Sequence, residues 1–221
     1  MLAEDSPLIV TEITGSIAIV RFNRPAQRNP LSLETLQELR RTTSALFART
    51  DIQTVIFTGT DDVFASGANI RELAQLDSVT ALEFSKFGQD LFQTIANARR
   101  VTIAAINGYC IGGGLDLALS CDIRVASKSA VFSHPGARLG IITGWGGTQR
   151  LPRIIGRARA LEFFSTARPC TSVEALKMGL VSHVGDPVIL HALELAAGNK
   201  EGGRESATFR SDVIKPTIKS N

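Results

Sequence analysis

Val101-Thr102-Ile103-Ala104-Ala105-Ile106-Asn107-Gly108-Tyr109-Cys110-Ile111-Gly112-Gly113-Gly114-Leu115-Asp116-Leu117-Ala118-Leu119-Ser120-Cys121 carries the reading of the fold. The apolar run Val101 to Ile106, closed by Asn107-Gly108, suits a buried strand. Three consecutive glycines follow, and Leu115 to Cys121 then reads as a helix. A helix that starts in this way leaves its first N–H groups without acceptors and presents the positive end of its dipole. Such a terminus receives an anion, or a carbonyl oxygen that gains charge during a reaction. A nucleotide-phosphate loop asks instead for GxGxxG or GxxxxGK[ST], and the contiguous triple with no following Lys has neither pattern. A tight turn that serves only strand–helix packing is the structural alternative.

Working outward, Val10 to Phe22 reads as a hairpin turning at Thr14-Gly15-Ser16. Ser32 is placed to cap a helix with Leu36, Leu39, Leu46 and Phe47 at helical spacing, and Glu34 suits its first turn. Thr54 to Thr58 is a buried strand, and a helix over about 80–98 carries Leu82, Phe84, Phe87, Leu91, Phe92 and Ile95 on one broad face. Asp122 to Ala126 and Val131-Phe132 return as strands, and Thr171-Ser172-Val173-Glu174 is a capping box for a short helix ending at Gly179. Strands alternating with helices predict an α/β domain with largely parallel pairing. From Gly198 onward glycines and charges replace the apolar pattern, which reads as a mobile tail or a segment that orders against a partner subunit.

Composition narrows the function classes. The 221 residues are 44% hydrophobic and 20% charged, which is the balance of a globular domain. A formal net charge of +3, with no long Lys/Arg block, argues against nucleic acid and against a polybasic membrane footprint. The three cysteines, Cys110, Cys121 and Cys170, are too scattered for a disulfide framework or a zinc site, so no metal and a reducing compartment are expected. Glu4 and Asp5 precede a short apolar run, unlike a signal peptide, and the apolar window after Ile103 is broken by Asn107, glycines and Asp116. A cytoplasmic protein without membrane insertion is the expectation.

A second small-residue segment, Phe64-Ala65-Ser66-Gly67-Ala68-Asn69-Ile70-Arg71-Glu72, also runs from an extended stretch into a helix start. One N–H from it and one from the glycine triple can hold a single oxygen, and paired donors of this kind stabilise an oxyanion or enolate. These two segments, with Cys121-Asp122-Ile123 and Gly146-Gly147-Thr148-Gln149-Arg150-Leu151-Pro152, resemble the enoyl-CoA hydratase/isomerase (crotonase) superfamily, in order, from about Val10 to Val184. The resemblance implies a crotonase-like (ClpP/crotonase) spiral of repeated β-β-α units, an acyl-CoA thioester as substrate with coenzyme A as part of it and no separate cofactor, and a homotrimer or dimer of trimers. It places the acyl-CoA binding and catalytic domain at 1–190 and a short, atypical segment at 191–221. It implies an oxyanion hole at the N–H groups of Ala68 and Gly113, and substrate contacts at Ala26, Arg28, Ser66, Asn69, Ile70, Tyr109, Gly112, Pro135 and Leu139. Trp145 and Tyr109 are expected as pocket walls.

The acid and base positions depart from the family pattern. Hydratases of the family place and activate water with two glutamates; here the first position is Asp116 and the second is Gly136. Asp116 is either a base or a first-turn residue complementing the helix dipole. His134, two residues before Gly136, is either a proton-transfer group or a structural histidine, and Gly144 supplies no substitute acid. The expected activity is therefore of the enoyl-CoA hydratase or isomerase type, with a non-catalytic acyl-CoA binder or an acyl-CoA decarboxylase as alternatives. The family usually continues in further helices, so 221 residues look short; Phe209 and Lys215 are the candidates for contacts there.

Overall fold

The structure, a computed structural model, describes residues 6–198. It starts with the expected hairpin, β1 (Ile9–Thr14) and β2 (Ile17–Phe22), turning through Gly15 at φ +59°. A 3-10 turn at Pro25–Gln27 leads to β3 (Pro30–Leu31) and α1 (Leu33–Ala48). Ser32 caps α1 by accepting from the Thr35 N–H, as its position predicts. β4 (Thr54–Thr58), β5 (Val63–Ala65), β6 (Gly67–Ala68), α2 (Ile70–Leu73) and α3 (Ser78–Ala96) follow. α3 starts two residues before the expected Thr80, because Asp77 accepts from the Val79 and Thr80 N–H groups in a capping box. Leu82, expected on its apolar face, is exposed.

Next come β7 (Val101–Ile106), β8 (Tyr109–Ile111), α4 (Gly113–Ser120), β9 (Ile123–Ala126), β10 (Val131–Ser133) and α5 (Gly136–Leu139). α6 (Gly147–Ile155), α7 (Arg157–Thr166), β11 (Cys170–Thr171), α8 (Ser172–Lys177), β12 (His183–Val184) and α9 (Val188–Gly198) complete the described chain. The capping box expected at Thr171 and Glu174 is present on α8. α6, α7 and α9 lie outside the sequence expectation. α6 opens on glycine and holds Pro152 in its interior, both signals against a helix.

The strands form a six-stranded sheet ordered β1-β2-β4-β7-β9-β12, parallel except for the hairpin, and a four-stranded sheet ordered β11-β10-β8-β5. β3 and β6 form a parallel pair of their own. The chain repeatedly lays one strand in the large sheet and the next in the smaller one before a helix: β4 then β5, β7 then β8, β9 then β10. That is the expected β-β-α spiral.

Both faces of the large sheet are covered, as parallel strands require. On one face Val20, Val55, Phe57, Ala104 and Ile106 pack into the main core with Leu36, Phe64, Phe92, Leu115 and Phe132. The alternating residues Ile19, Ile56, Ile103, Ala105 and Val125 point the other way, and Val188, Ala192 and Ala196 of α9 cover them. α9 thus straddles the boundary expected at residue 190, and Ala192, expected to begin a weakly patterned stretch, is fully buried. The tail from 199, with Phe209 and Lys215, lies outside the described residues.

Candidate active site

Close approach between the β5–β6 segment and the start of α4 creates the site, and glycines permit it. A Cβ at Gly114 would sit 2.2 Å from the Ala65 carbonyl oxygen, and one at Gly67 would sit 2.8 Å from the Gly113 nitrogen. Gly67 also holds φ at +89°, a conformation side-chain-bearing residues rarely adopt. Gly112, at φ +54°, donates its N–H to the Ser133 carbonyl at 2.9 Å and so anchors the turn to β10. Gly113 is the first residue of α4, so its N–H has no acceptor within the helix. Ala68 and Gly113 line one cavity of about 380 Å³.

Asp116 lies in the first turn of α4 and its carboxylate faces the same cavity while only 1% exposed. His134 Nε2 donates to Oδ1 over 3.0 Å, and the Thr143 hydroxyl donates to Oδ2. Room for the carboxylate comes from α6, whose first residue is glycine: a Cβ at Gly147 would stand 2.1 Å from Oδ1. His134, just after β10, is 3% exposed, and its ring lies 5.2 Å from that of Phe164. Arg150 donates to the Trp145 carbonyl and to Gln93. Burial holds its pKa below the ordinary arginine value, opposed first by the negative charge of Asp116.

Position 136, where a second carboxylate would stand, is closed by backbone. A Cβ there would lie 2.5 Å from the Ile141 carbonyl oxygen, and the Ile141 N–H bonds back to the Gly136 carbonyl at 3.0 Å. The opposite wall is apolar: Leu73, Leu76, Phe84, Ile142 and Trp145. Trp145 packs 5.2 Å from Phe84 and 5.6 Å from Phe92, its indole N–H reaching the Phe84 carbonyl. Its ring fills the space that a side chain at Gly88 or Gly113 would need.

Of the residues singled out from the sequence, Ser66, Ala68, Ile70, Gly112, Gly113, Asp116, His134, Pro135, Gly136 and Leu139 meet at this cavity, with Trp145 as a wall. Four do not. Tyr109, expected as a wall, alternates outward along β8 while Cys110 turns into the core; it is 38% exposed, with the Arg28 guanidinium 5.1 Å from its ring centre. Asn69 is engaged in capping α2, accepting from the Arg71 N–H and donating to Glu72. Ala26 sits in the 3-10 turn at Pro25–Gln27, away from the cavity lining. Sequence reasoning missed Thr143, whose link to Asp116 spans 27 residues and leaves no local signal, and the exposed Ile141-Ile142 edge.

Among the described residues no three or more His, Cys, Asp or Glu side chains gather to hold a metal ion, and no helix is long and apolar enough to cross a membrane.

The sequence model of the enoyl-CoA hydratase/isomerase family matches residues 12–213. The chain is 37% identical to the short-chain-enoyl-CoA hydratase of Clostridium acetobutylicum over 180 residues, 81% of this chain and 69% of that protein. It is 38% identical to the crotonyl-CoA hydratase of Syntrophomonas wolfei over 180 residues, with the same shares of each. Among solved structures, the enoyl-CoA hydratase from Bacillus anthracis superimposes with a TM-score of 0.83 at 34% identity, covering 87% of this chain and 76% of the other. That from Thermoplasma volcanium gives 0.84 at 32% identity, covering 89% and 79%. The fold is that of the crotonase enzymes. The chain belongs to the enoyl-CoA hydratase/isomerase family.

Proposed function

We propose that the protein binds an acyl-CoA thioester with its carbonyl oxygen between the Ala68 and Gly113 N–H groups, and that Asp116 moves a proton at the carbon next to that carbonyl. One observation carries the reading: the two amides and the single buried carboxylate line the same apolar cavity. Electron density released by proton removal collects on the thioester oxygen, and fixed amide donors stabilise it without having to reorganise. The α4 dipole adds its positive end at Gly113. This chemistry draws on no cofactor, since coenzyme A enters with the substrate. Assembly as a trimer or dimer of trimers, and a cytoplasmic location, belong to the same proposal and rest on the family resemblance.

The test is turnover of a panel of saturated, enoyl and malonyl-type CoA thioesters by the wild-type protein and Asp116→Asn. Loss of a general base costs about 10²- to 10⁴-fold, so kcat/KM for the preferred thioester is expected to fall by that much while thioester binding persists. Equal rates would remove Asp116 from the mechanism. Binding without turnover would favour a carrier or scaffold, and decarboxylation that survives the substitution would favour a decarboxylase.

A further inference from the structure

Away from the acyl cavity, two metal-ligating side chains converge on one point. His183 stands on β12, the edge strand of the large sheet, and His191 in the first turn of α9, the helix that covers that sheet's outer face. Their ring centres are 4.1 Å apart and the ring planes are tilted by 56°. A Cβ on Gly185, in the link between the two elements, would lie 2.4 Å from His191 Nε2 and 3.0 Å from His183 Nε2. Both nitrogens thus face the same space, which is free because residue 185 has no side chain. The backbone around it is anchored: His183 pairs with Val125 of β9, the Gly185 N–H donates to the Ala126 carbonyl at 3.0 Å, and Val188 and Ala192 bury the start of α9 against the sheet.

Ring packing alone would not require the two Nε2 atoms to meet. Nor would it require a carboxylate behind one of the rings, yet Glu194 Oε2 lies 3.4 Å from His191 Nδ1. A neutral imidazole carries its proton on one nitrogen and a lone pair on the other. Glu194 favours the proton on Nδ1, which leaves the lone pair on Nε2; a carboxylate–histidine pair of this kind orients a metal ligand and raises its basicity. His183 is exposed and the His191 side chain is 30% accessible, so an ion in solution reaches both.

We propose that His183 and His191 form a two-histidine site for a divalent transition-metal ion of the Cu²⁺, Ni²⁺ or Zn²⁺ class, which ties α9 to the edge of the large sheet. Imidazole nitrogen suits these ions, with Cu²⁺ held tightest, whereas Mg²⁺ and Ca²⁺ take oxygen ligands. Bonds of about 2.0–2.1 Å ask only for a small turn of the exposed His183 ring. Among the described residues no third His, Cys, Asp or Glu joins the pair, so water completes the coordination. Because the ligands come from two elements, binding favours the docked arrangement of α9 and stabilises the fold.

Calorimetric titration of the tag-free full-length protein with Zn²⁺ and Cu²⁺, with electron paramagnetic resonance of the Cu²⁺ form, tests the site. The chain has three histidines, and the third, His134, is 3% exposed and bonded to Asp116, so it does not compete. The wild type is expected to bind one ion per chain, to show coupling of Cu²⁺ to two nitrogens, and to ignore Mg²⁺. Zn²⁺ at a hundredfold excess over Kd is expected to raise the melting temperature by about 5–10 °C. His183→Gln and His191→Gln should each weaken binding by at least about 10- to 10²-fold, the loss that even a supporting group causes, while their metal-free melting curves match that of the wild type. Gly185→Ala keeps both histidines but fills the space between their nitrogens, and should weaken binding as much. Affinity unchanged in any of the three variants, coupling to fewer than two nitrogens, or a melting temperature that saturating Zn²⁺ does not raise would overturn the proposal.

Discussion

Substitution at Gly136 examines the closure of the second acid position directly. A Cβ at 136 would stand 2.5 Å from the Ile141 carbonyl oxygen, 3.3 Å from its carbon and 3.6 Å from the Ile142 Cα. An ordinary carbon–oxygen approach is about 3.3 Å, so Gly136→Ala must push the 140–142 segment outward by about 0.8 Å. All three atoms are backbone, so no rotamer change relieves the clash, and the shift strains the 3.0 Å bond from the Ile141 N–H to the Gly136 carbonyl. Overpacking of this kind costs about 1–3 kcal/mol. The entropic gain of replacing glycine, up to about 1 kcal/mol in a helix interior, is smaller at the first residue of a four-residue helix. A net loss of about 1–2 kcal/mol lowers the melting temperature by about 2–8 °C in a domain of this size. Circular dichroism melts of wild type, Gly136→Ala and Gly136→Glu measure it. Hydration assays on the same proteins are expected to show no more than about a threefold gain for the glutamate variant, since its carboxyl cannot reach the cavity past the Ile141 carbonyl. A Gly136→Ala protein that melts with the wild type would refute the backbone closure. So would a Gly136→Glu protein that keeps its stability and hydrates 10²-fold faster, the step a restored acid or base supplies.

The cysteines give a second check. Cys110, Cys121 and Cys170 are all free and buried; burial pushes each thiol up, that of Cys170 to about 11. A thiol-labelling assay at neutral pH should find almost no reactive thiol in the native protein and three after denaturation; rapid labelling of the native protein would contradict their burial. At the start of α8, the Thr171 backbone N–H first, then Arg168 and the Thr171 hydroxyl, hold the Glu174 carboxyl below the usual glutamate value. A carboxyl depressed in the folded state stabilises above its unfolded pKa, and that contribution disappears as pH falls through the folded one. Glu174→Gln should therefore lower the melting temperature at neutral pH and converge with the wild type in acid; an equal deficit at both would assign the loss to packing.

Signals that rest on a few consecutive residues were open to reading from the chain alone. Ser32 and Thr171 cap where they stand because each side-chain oxygen meets an N–H three residues on. Gly15 turns the hairpin, and Gly112-Gly113-Gly114 opens a helix behind a strand, so the amide half of the site and the position of Asp116 were legible as local geometry. The largely parallel pairing also followed, since alternating strands and helices leave parallel crossovers as the economical connection, whereas the strand order came only from the folded chain.

The tertiary structure decided what Asp116 can do. Its two donors lie 18 and 27 residues away, at a distance along the chain where no periodicity or spacing signals a partner. Whether Gly136 leaves a space or a closed wall depended on the path of residues 140–142. Tyr109 faced outward because Cys110, its neighbour in an alternating strand, took the core side. α9 gained its place from the apolar outer face of the large sheet, which only exists once its strands are side by side. The sequence by itself determined where backbone amides are bared and where a carboxylate stands beside them, because those are short-range consequences of chain geometry. Clamping that carboxylate, closing the second position and covering the sheet are long-range packing events, and only the folded chain brings their parts together.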